Sequence, residues 1–264
     1  MSAGCRPGVV GSGPTDAIVE GHGHAALLDA SGGHGFVRWD VPPELADTWW
    51  QAGDAVLFRR LRRRGVAFAA LGDASGVSTL LDALPGLAEA VGASWPLGLS
   101  VPRHLEPLAH ERFEVDPGGD WDWFVTTREP APFGPEALVR PLDDTARRAE
   151  LTAFLAEHSP TADTAPGEGE SWWGVDLDGR LVATAAVGLL PTGAPSVSSV
   201  AVDGSVRGRG LGRAIVGAVT RRAVGDHGVC TLGMYAHNTV ARSLYHSLGY
   251  TSEVSWASRS VRLP

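Results

Sequence analysis

The sequence predicts an α/β (α+β) chain, a twisted sheet flanked by helices, and three observations carry that reading. The run Ser199-Val200-Ala201-Val202-Asp203-Gly204-Ser205-Val206-Arg207-Gly208-Arg209-Gly210-Leu211-Gly212 passes from a short apolar strand through an Arg/Gly-rich turn into an amphipathic helix. A second strand, Val229 to Ala236, is followed by a helix after Asn238 and by another strand from Tyr250. The first half echoes this order: Trp95-Pro96-Leu97-Gly98-Leu99 matches the strand around Gly233 at an offset of 135 residues (233 minus 98).

The turn is the first element to justify. Its alternating glycines allow backbone conformations closed to residues with a Cβ. They also leave N–H groups free at a helix N-terminus, where the helix dipole attracts an anion such as a phosphate. A nucleotide P-loop needs a lysine, but all 22 basic residues are arginine. The same absence excludes a Schiff-base lysine. A dinucleotide loop needs G-x-G-x-x-G, and Arg213 stands where the third glycine belongs. The hexapeptide alone leaves a ligand-free Gly-rich turn as the other reading.

The second helix follows from its ends and its stripe. Asn238 is a favoured N-cap, and Gly249 sits where an αL C-cap belongs. Val240, Leu244 and Leu248 recur every four residues, which predicts that they face a core.

With both segments placed, a resemblance emerges. Arg207-Gly208-Arg209-Gly210-Leu211-Gly212 matches the R/Q-x-x-G-x-G/A signature of the GNAT acyltransferase superfamily, and Asn238 to Tyr250 resembles its second block, N-x-x-A-x-x-L-Y-x-x-L-G-Y. The resemblance covers about half the chain and implies the GNAT fold, with a mixed, mostly antiparallel sheet. Val139 to Leu142 then reads as a first strand. Asp143 and Asp144 cap a helix carrying Leu151, Phe154 and Leu155. Thr161 to Glu170 is a loop where the family often has a helix shaping the acceptor pocket. Trp172 to Leu177 and Leu181 to Val187 form a hairpin about Asp178-Gly179.

Residues 1–135 are expected to be a degenerate GNAT-like copy and residues 136–264 the acetyltransferase domain. At the same offset, Leu80, Leu84 and Ala88 fall under Ile215, Val219 and Ala223. Gly72, Ser75 and Val77 replace Arg207, Gly210 and Gly212, so no phosphate loop is expected there. The strand Trp121 to Val125 is expected to finish the first half's sheet. Charge divides in the same sense: 17 acids against 10 arginines in residues 1–135, and 13 against 12 thereafter. A polyanionic cofactor is better tolerated by the second half.

Acetyl-CoA is the co-substrate that the resemblance implies. Gly208 to Gly212 then cradle the pyrophosphate, with Leu211 opening the helix and Arg207 or Arg209 adding charge. Val200 and Val202 match the strand that pairs with pantetheine, and one of its N–H groups polarises the thioester. Asn238 matches a position near the pantetheine arm, and N-capping explains it equally well. Tyr245 matches the general acid, protonated at neutral pH with an ordinary pKa of about 10. No general base is legible on the strand, where Ser198, Ser199 and Ala201 stand. Glu170, His237 and His158 are substitutes.

Other features exclude or bound. His22, His24 and His34 lack metal-ligand spacing, so no metal is expected. The Arg59-Arg60-x-Arg62-Arg63-Arg64 run, in an acidic half, reads as a solvated helix face rather than a nucleic-acid site. No stretch reaches the roughly 20 apolar residues of a membrane span, and Met1 to Gly13 shows no signal core. Cys5 and Cys230 cannot build a disulfide framework, so a reduced cytoplasmic setting is expected. The expected partner is a small-molecule or protein amine, and a homodimer is compatible with the sequence. The competing reading is a non-catalytic acyl-CoA-binding or partner-binding module.

Overall fold

In chain order the strands are β1 Val19–Gly21, β2 Trp49–Ala52, β3 Ala55–Arg62, β4 Gly65–Leu71, β5 Leu97–Pro102, β6 Glu114–Val115 and β7 Gly119–Thr126. They continue as β8 Arg140–Leu142, β9 Ser171–Leu177, β10 Arg180–Leu189, β11 Pro195–Val202, β12 Cys230–Tyr235 and β13 Thr251–Arg262. The helices are α1 His24–Ala30, α2 Gly35–Asp40, α3 Ala74–Ala90, α4 Glu106–His110, α5 Arg148–His158, α6 Leu211–His227 and α7 Thr239–Ser247. The computed structural model describes residues 17–62, 65–162 and 164–264. Met1 to Gly13, Cys5, Arg63 and Arg64 lie outside the described residues.

All thirteen strands join one sheet in the order β1-β2-β3-β4-β5-β13-β7-β12-β11-β10-β9-β8, with β6 against β13. Each half repeats one pattern. β1 to β4 and β8 to β11 are antiparallel meanders, and each ends in a parallel pair, β4 with β5 and β11 with β12. A 17-residue helix crosses over in both, α3 and α6. Leu80, Leu84 and Ala88 are buried in one core, and Ile215, Val219 and Ala223 in the other.

The halves exchange strands. β7 was expected to finish the first half's sheet, but it pairs with β12 on one side and β13 on the other. β13 in turn takes the edge of β5. Its 12 residues are long enough to pair with β5 and β7 together. Cross-strand aromatics favour this arrangement: Trp256 faces Trp121 across the β13–β7 pair, and Phe36 packs edge-on to Trp123 and Trp256. Burying indoles on this scale stabilises the junction by roughly 1.5–3 kcal/mol for each large apolar side chain.

Local expectations meet three further corrections. The arginine run lies on strand β3 rather than a helix, so its side chains alternate between faces; Arg60 is buried beside Ser100 and the Trp121 ring, while Arg59 pairs with Asp47. In α7, Val240 is 80% exposed. The core stripe there runs instead through Ala241, Leu244, Tyr245 and Leu248. Asp143 caps a turn by accepting from the Thr145 and Ala146 amides, and α5 begins after that turn. The hairpin turn is as expected, with Asp178 and Gly179 both at positive φ.

Candidate active site

The site begins with a defect in β11. Thr184 faces Ala201 and Ala186 faces Ser198, so Ser199 and Val200 together oppose Ala185 alone. This is a β-bulge, and Ser199 adopts φ 48 within it. The bulge inverts the alternation of faces: Val197 packs in the core under α6, and so do Val200 and Val202, whereas Ala201 packs toward α5. β11 meets β12 only through Ser196 and Val197. Beyond Val197 the parallel strands part, which leaves the bulged edge open. The Ser199 and Ser198 hydroxyls are both tied to Thr164 of the loop above them, at 3.0 Å each.

The turn after β11 is fixed by local bonds of Asp203. Asp203 accepts from the Ser205 amide and hydroxyl at 2.8 Å each and pairs with Arg180. The Ser205 bonds hold its carboxyl below the usual range. Gly208 and Gly210 take φ 80 and 76. A Cβ on Gly210 would lie 2.7 Å from Phe133, so both dihedral and space demand glycine. Gly210 is the N-cap of α6, and no side chain caps the helix. Its first N–H groups therefore have no side-chain acceptor among the described residues, and such groups at a helix N-terminus are able to receive an anion. Arg207 and Arg209 are exposed, with no acidic partner among the described residues. Leu211 is buried and seats the first turn.

The turn at the matching place in the first half is built differently. The β3–β4 register runs unbroken from Arg62–Gly65 to Val56–Leu71, so there is no bulge. Asp73, rather than a glycine, is the N-cap of α3, and its carboxylate accepts from the Ser75 and Gly76 amides at 3.0 and 3.4 Å. Gly72 packs against the Ala55 backbone. There the chain's own carboxylate caps the helix.

α7 brings Tyr245 to the loop. Leu244 lies 3.8 Å from where a Gly212 Cβ would be. The next residue, Tyr245, is 7% exposed and sits against Phe124 and Tyr250, with ring centroids at 6.0 and 5.9 Å. The two phenols have separate jobs. The Tyr250 hydroxyl is spent on Thr220 and Cys230, at 2.8 and 3.1 Å. Tyr245 has no hydrogen-bond partner among the described residues, and burial pushes its hydroxyl up to about 12. Cys230 is buried as expected, and burial pushes its thiol to about 11, which makes it inert.

Asn238 is committed to capping: its side chain accepts from the Ala241 amide at 3.0 Å. The base candidates are scattered. His237 stacks on Tyr235, His158 packs on Phe154, and Glu170 stands before β9 at the far end of the sheet. His22 and His24 bond to the Asp47 and Val37 carbonyls. Sequence reasoning missed Asp122 and Phe124, both on β7, which reach α7 from the other half. A buried charge between Trp121 and Trp123 was the signal available.

Residues 136–250 match the model of the Acetyltransferase (GNAT) family. No curated protein matches the chain. Among solved structures, an acetyltransferase from the GNAT family of Colwellia psychrerythraea is 12% identical, with 93% of this chain and 100% of that one covered and a TM-score of 0.54. A GNAT-family protein of Novosphingobium aromaticivorans is 21% identical, with 90% and 96% covered and a TM-score of 0.51. A GCN5-related N-acetyltransferase of Kribbella flavida is 18% identical, with 92% and 97% covered and a TM-score of 0.50. These likenesses concern the fold, and they extend over both halves.

Proposed function

We propose that the chain, whose residues 136–250 match the model of the Acetyltransferase (GNAT) family, is an acetyl-CoA-dependent N-acetyltransferase, acting on a primary amine by direct attack in a ternary complex. The carrying observation is the pairing of the β11 bulge with an uncapped α6 N-terminus, neither of which the first half has at the matching place. Uncapped amides and two arginines without an acidic partner among the described residues fit a pyrophosphate. Bound acetyl-CoA supplies the activated acyl group as its thioester.

The chain's residues then divide the work. The amides from Gly208 to Gly212 and the Arg207 and Arg209 charges hold the anion. The open edge of β11 about Val200 and Val202 offers backbone groups to an extended arm. An N–H at the bulge donates where negative charge develops on the acyl oxygen. Tyr245, protonated at any physiological pH, donates into charge developing on the leaving sulfur. Ser199 and its Thr164 bond hold the bulge in register.

A second reading has its own support. β11 carries Ser196, Ser198 and Ser199 and no carboxylate, so a module that binds acyl-CoA without turning it over also fits. Calorimetry with acetyl-CoA and a thiol-release screen over amines separates the two. Binding with release supports the enzyme; binding without release on every amine supports the module; no binding overturns both.

A further inference from the structure

Arg60 and Arg62 stand two apart on β3 and so project to one side of the sheet, the side that carries Phe58 and Trp256 rather than α3. Strand pairing sets Arg60 beside Ala67, Gly98 beside Ser260 and Ser100 beside Ser258. No side chain on that floor is larger than a hydroxymethyl group. A cavity of about 210 Å³ lies over it, flanked by Arg60, Arg62, Arg259 and Gly118, and no carboxylate lines it. It sits where β4 and β5 begin. Gly72, where β4 turns toward α3, is five residues beyond Ala67, or roughly 16–17 Å along the strand. Neither Ser199 nor Tyr245 lines the cavity.

Arg60 is only 8% exposed. Its Nε donates to Ser100 Oγ at 3.2 Å and its Nη1 to the Leu61 carbonyl at 3.1 Å. Its Nη2 bonds to no described residue and is not sealed from solvent. No carboxylate pairs with Arg60 among the described residues. Burial lowers its pKa, Asp40 opposes this through space, and the like charge of Arg62 adds to it. Arg62 has no acidic partner among the described residues either. Its guanidinium lies on Gly98, where a Cβ would come within 2.8 Å of it. Arg259 differs, being held by Glu106 and Asp120 at 2.7 Å each.

The serines add a spare donor. Trp121 Nε1 donates to Ser258 Oγ at 2.8 Å, Arg60 donates to Ser100 Oγ, and the two hydroxyl oxygens are 2.8 Å apart. Whichever hydroxyl donates to the other, one proton of the pair is left without an acceptor among the described residues.

A buried cation and a buried donor each cost free energy until an acceptor pairs them. We propose that this trough is a second binding site, for a phosphate group carried either as the free ion or on a small monoester. Arg60 Nη2, Arg62 and the spare serine hydroxyl each donate to a phosphate oxygen. These donors reach the trough from β3 and from the β5–β13 pair, so they suit a tetrahedral dianion better than a planar carboxylate, which a single guanidinium fork satisfies. The volume is below the roughly 300–1,000 Å³ of sites that enclose drug-sized ligands, which limits the occupant to the anion and a few further atoms. The site is independent of the acyl-transfer reading.

The test is calorimetry on the full chain, in phosphate-free buffer without any acyl donor, with inorganic phosphate, methyl phosphate and acetate as probes. Saturable binding of phosphate or methyl phosphate with a Kd of about 1 mM or below is expected, and acetate should bind about tenfold more weakly or worse. Preference for phosphate identifies the free ion and preference for methyl phosphate an ester; either supports the site. Arg62→Gln, at an exposed position, should weaken binding about tenfold or more, as loss of a charged hydrogen bond does, and should melt no lower than the parent. Arg60→Gln should weaken it similarly. Arg209→Gln, in the turn before α6, should leave it unchanged. Binding that Arg209→Gln abolishes and Arg62→Gln spares would belong to that turn and overturn the proposal. So would absent saturation, equal affinity for acetate, or tighter binding of an oligonucleotide than of methyl phosphate through the same arginine. Acetyl-CoA affinity and turnover are separate readouts, so the two readings stand or fall apart.

Discussion

The carboxylate of Asp122, on a strand from the first half, is gripped by the guanidinium of Arg242, on the helix that carries Tyr245. Arg103 holds its other oxygen at 2.9 Å, and the Asp122 side chain is fully buried. One carboxylate therefore pins α7 to β7 and to the end of β5. The first half is the floor on which the phenol of the second half stands.

Asp122→Asn should destabilise the protein by about 2–3 kcal/mol in urea denaturation. That is below the cost of breaking a fully enclosed pair, because the arginines are 33% and 30% exposed. The pH dependence has a definite sign. Burial raises the Asp122 pKa, but bonds from Ser255, Arg242 and Arg103 outweigh it, and the net direction is down. A folded pKa below the unfolded value of about 3.9 stabilises the protein above that pH, and this contribution fades as pH falls through the folded value. The parent should lose stability more steeply than the Asn variant as pH drops below about 4. Parallel slopes would remove Asp122 from the acid transition.

The glycines of the anion turn are not equivalent. Gly210→Ala meets both a left-handed φ of 76 and the Phe133 ring at 2.7 Å. It should cost about 1–3 kcal/mol and weaken acetyl-CoA binding about tenfold or more. At Gly212 a Cβ would find Val202 and Leu244 at 3.6 and 3.8 Å, ordinary contacts. Gly212→Ala should then change stability by less than about 1 kcal/mol. Thermal melts and calorimetry of the two variants side by side decide this; equal destabilisation would contradict the contact geometry.

Tyr245→Phe deletes a hydroxyl that bonds to no other described residue. Stability should change by about 0.5 kcal/mol or less, while turnover falls about 10²–10⁴-fold and acetyl-CoA affinity holds. Because burial lifts the phenol to about 12, the parent's rate should show no alkaline decline from Tyr245 below about pH 11. A decline near pH 10 that vanishes in the Phe variant would show a more exposed phenol than this structure has.

The second half's local chemistry was legible because it is written in short-range signals. Gly208, Gly210, Asn238 and Gly249 declare turns and caps, and Asp178-Gly179 declares its hairpin. The long-range pairing was not, because β7 carries the same alternation whichever edge it joins. Trp121 and Trp123 mark a strand but not its neighbours. Val240 failed for a related reason: a four-residue stripe fits two adjacent faces of a short helix, and packing against Phe124 chose the face bearing Ala241 and Tyr245. The bulge was invisible too, since Ser199 and Val200 look like ordinary strand residues until their pairing with Ala185 is known.

Strand exchange makes a last prediction. In residues 136–264 expressed alone, the β12 edge that meets β7 has no partner, and β13 lies unpaired along both edges. Exposed apolar strand edges invite aggregation. The fragment also lacks Phe124 under Tyr245 and the Asp122 anchor for Arg242. It should be insoluble or molten by near-ultraviolet circular dichroism, and so should residues 1–135, whose β5 loses β13. Co-expressed, the two fragments should associate one to one and regain native-like melting, because the missing strands are then supplied in trans. If residues 136–264 alone fold cooperatively and bind acetyl-CoA as tightly as the whole chain, the strand exchange is not what completes the site. The first half would then need another role.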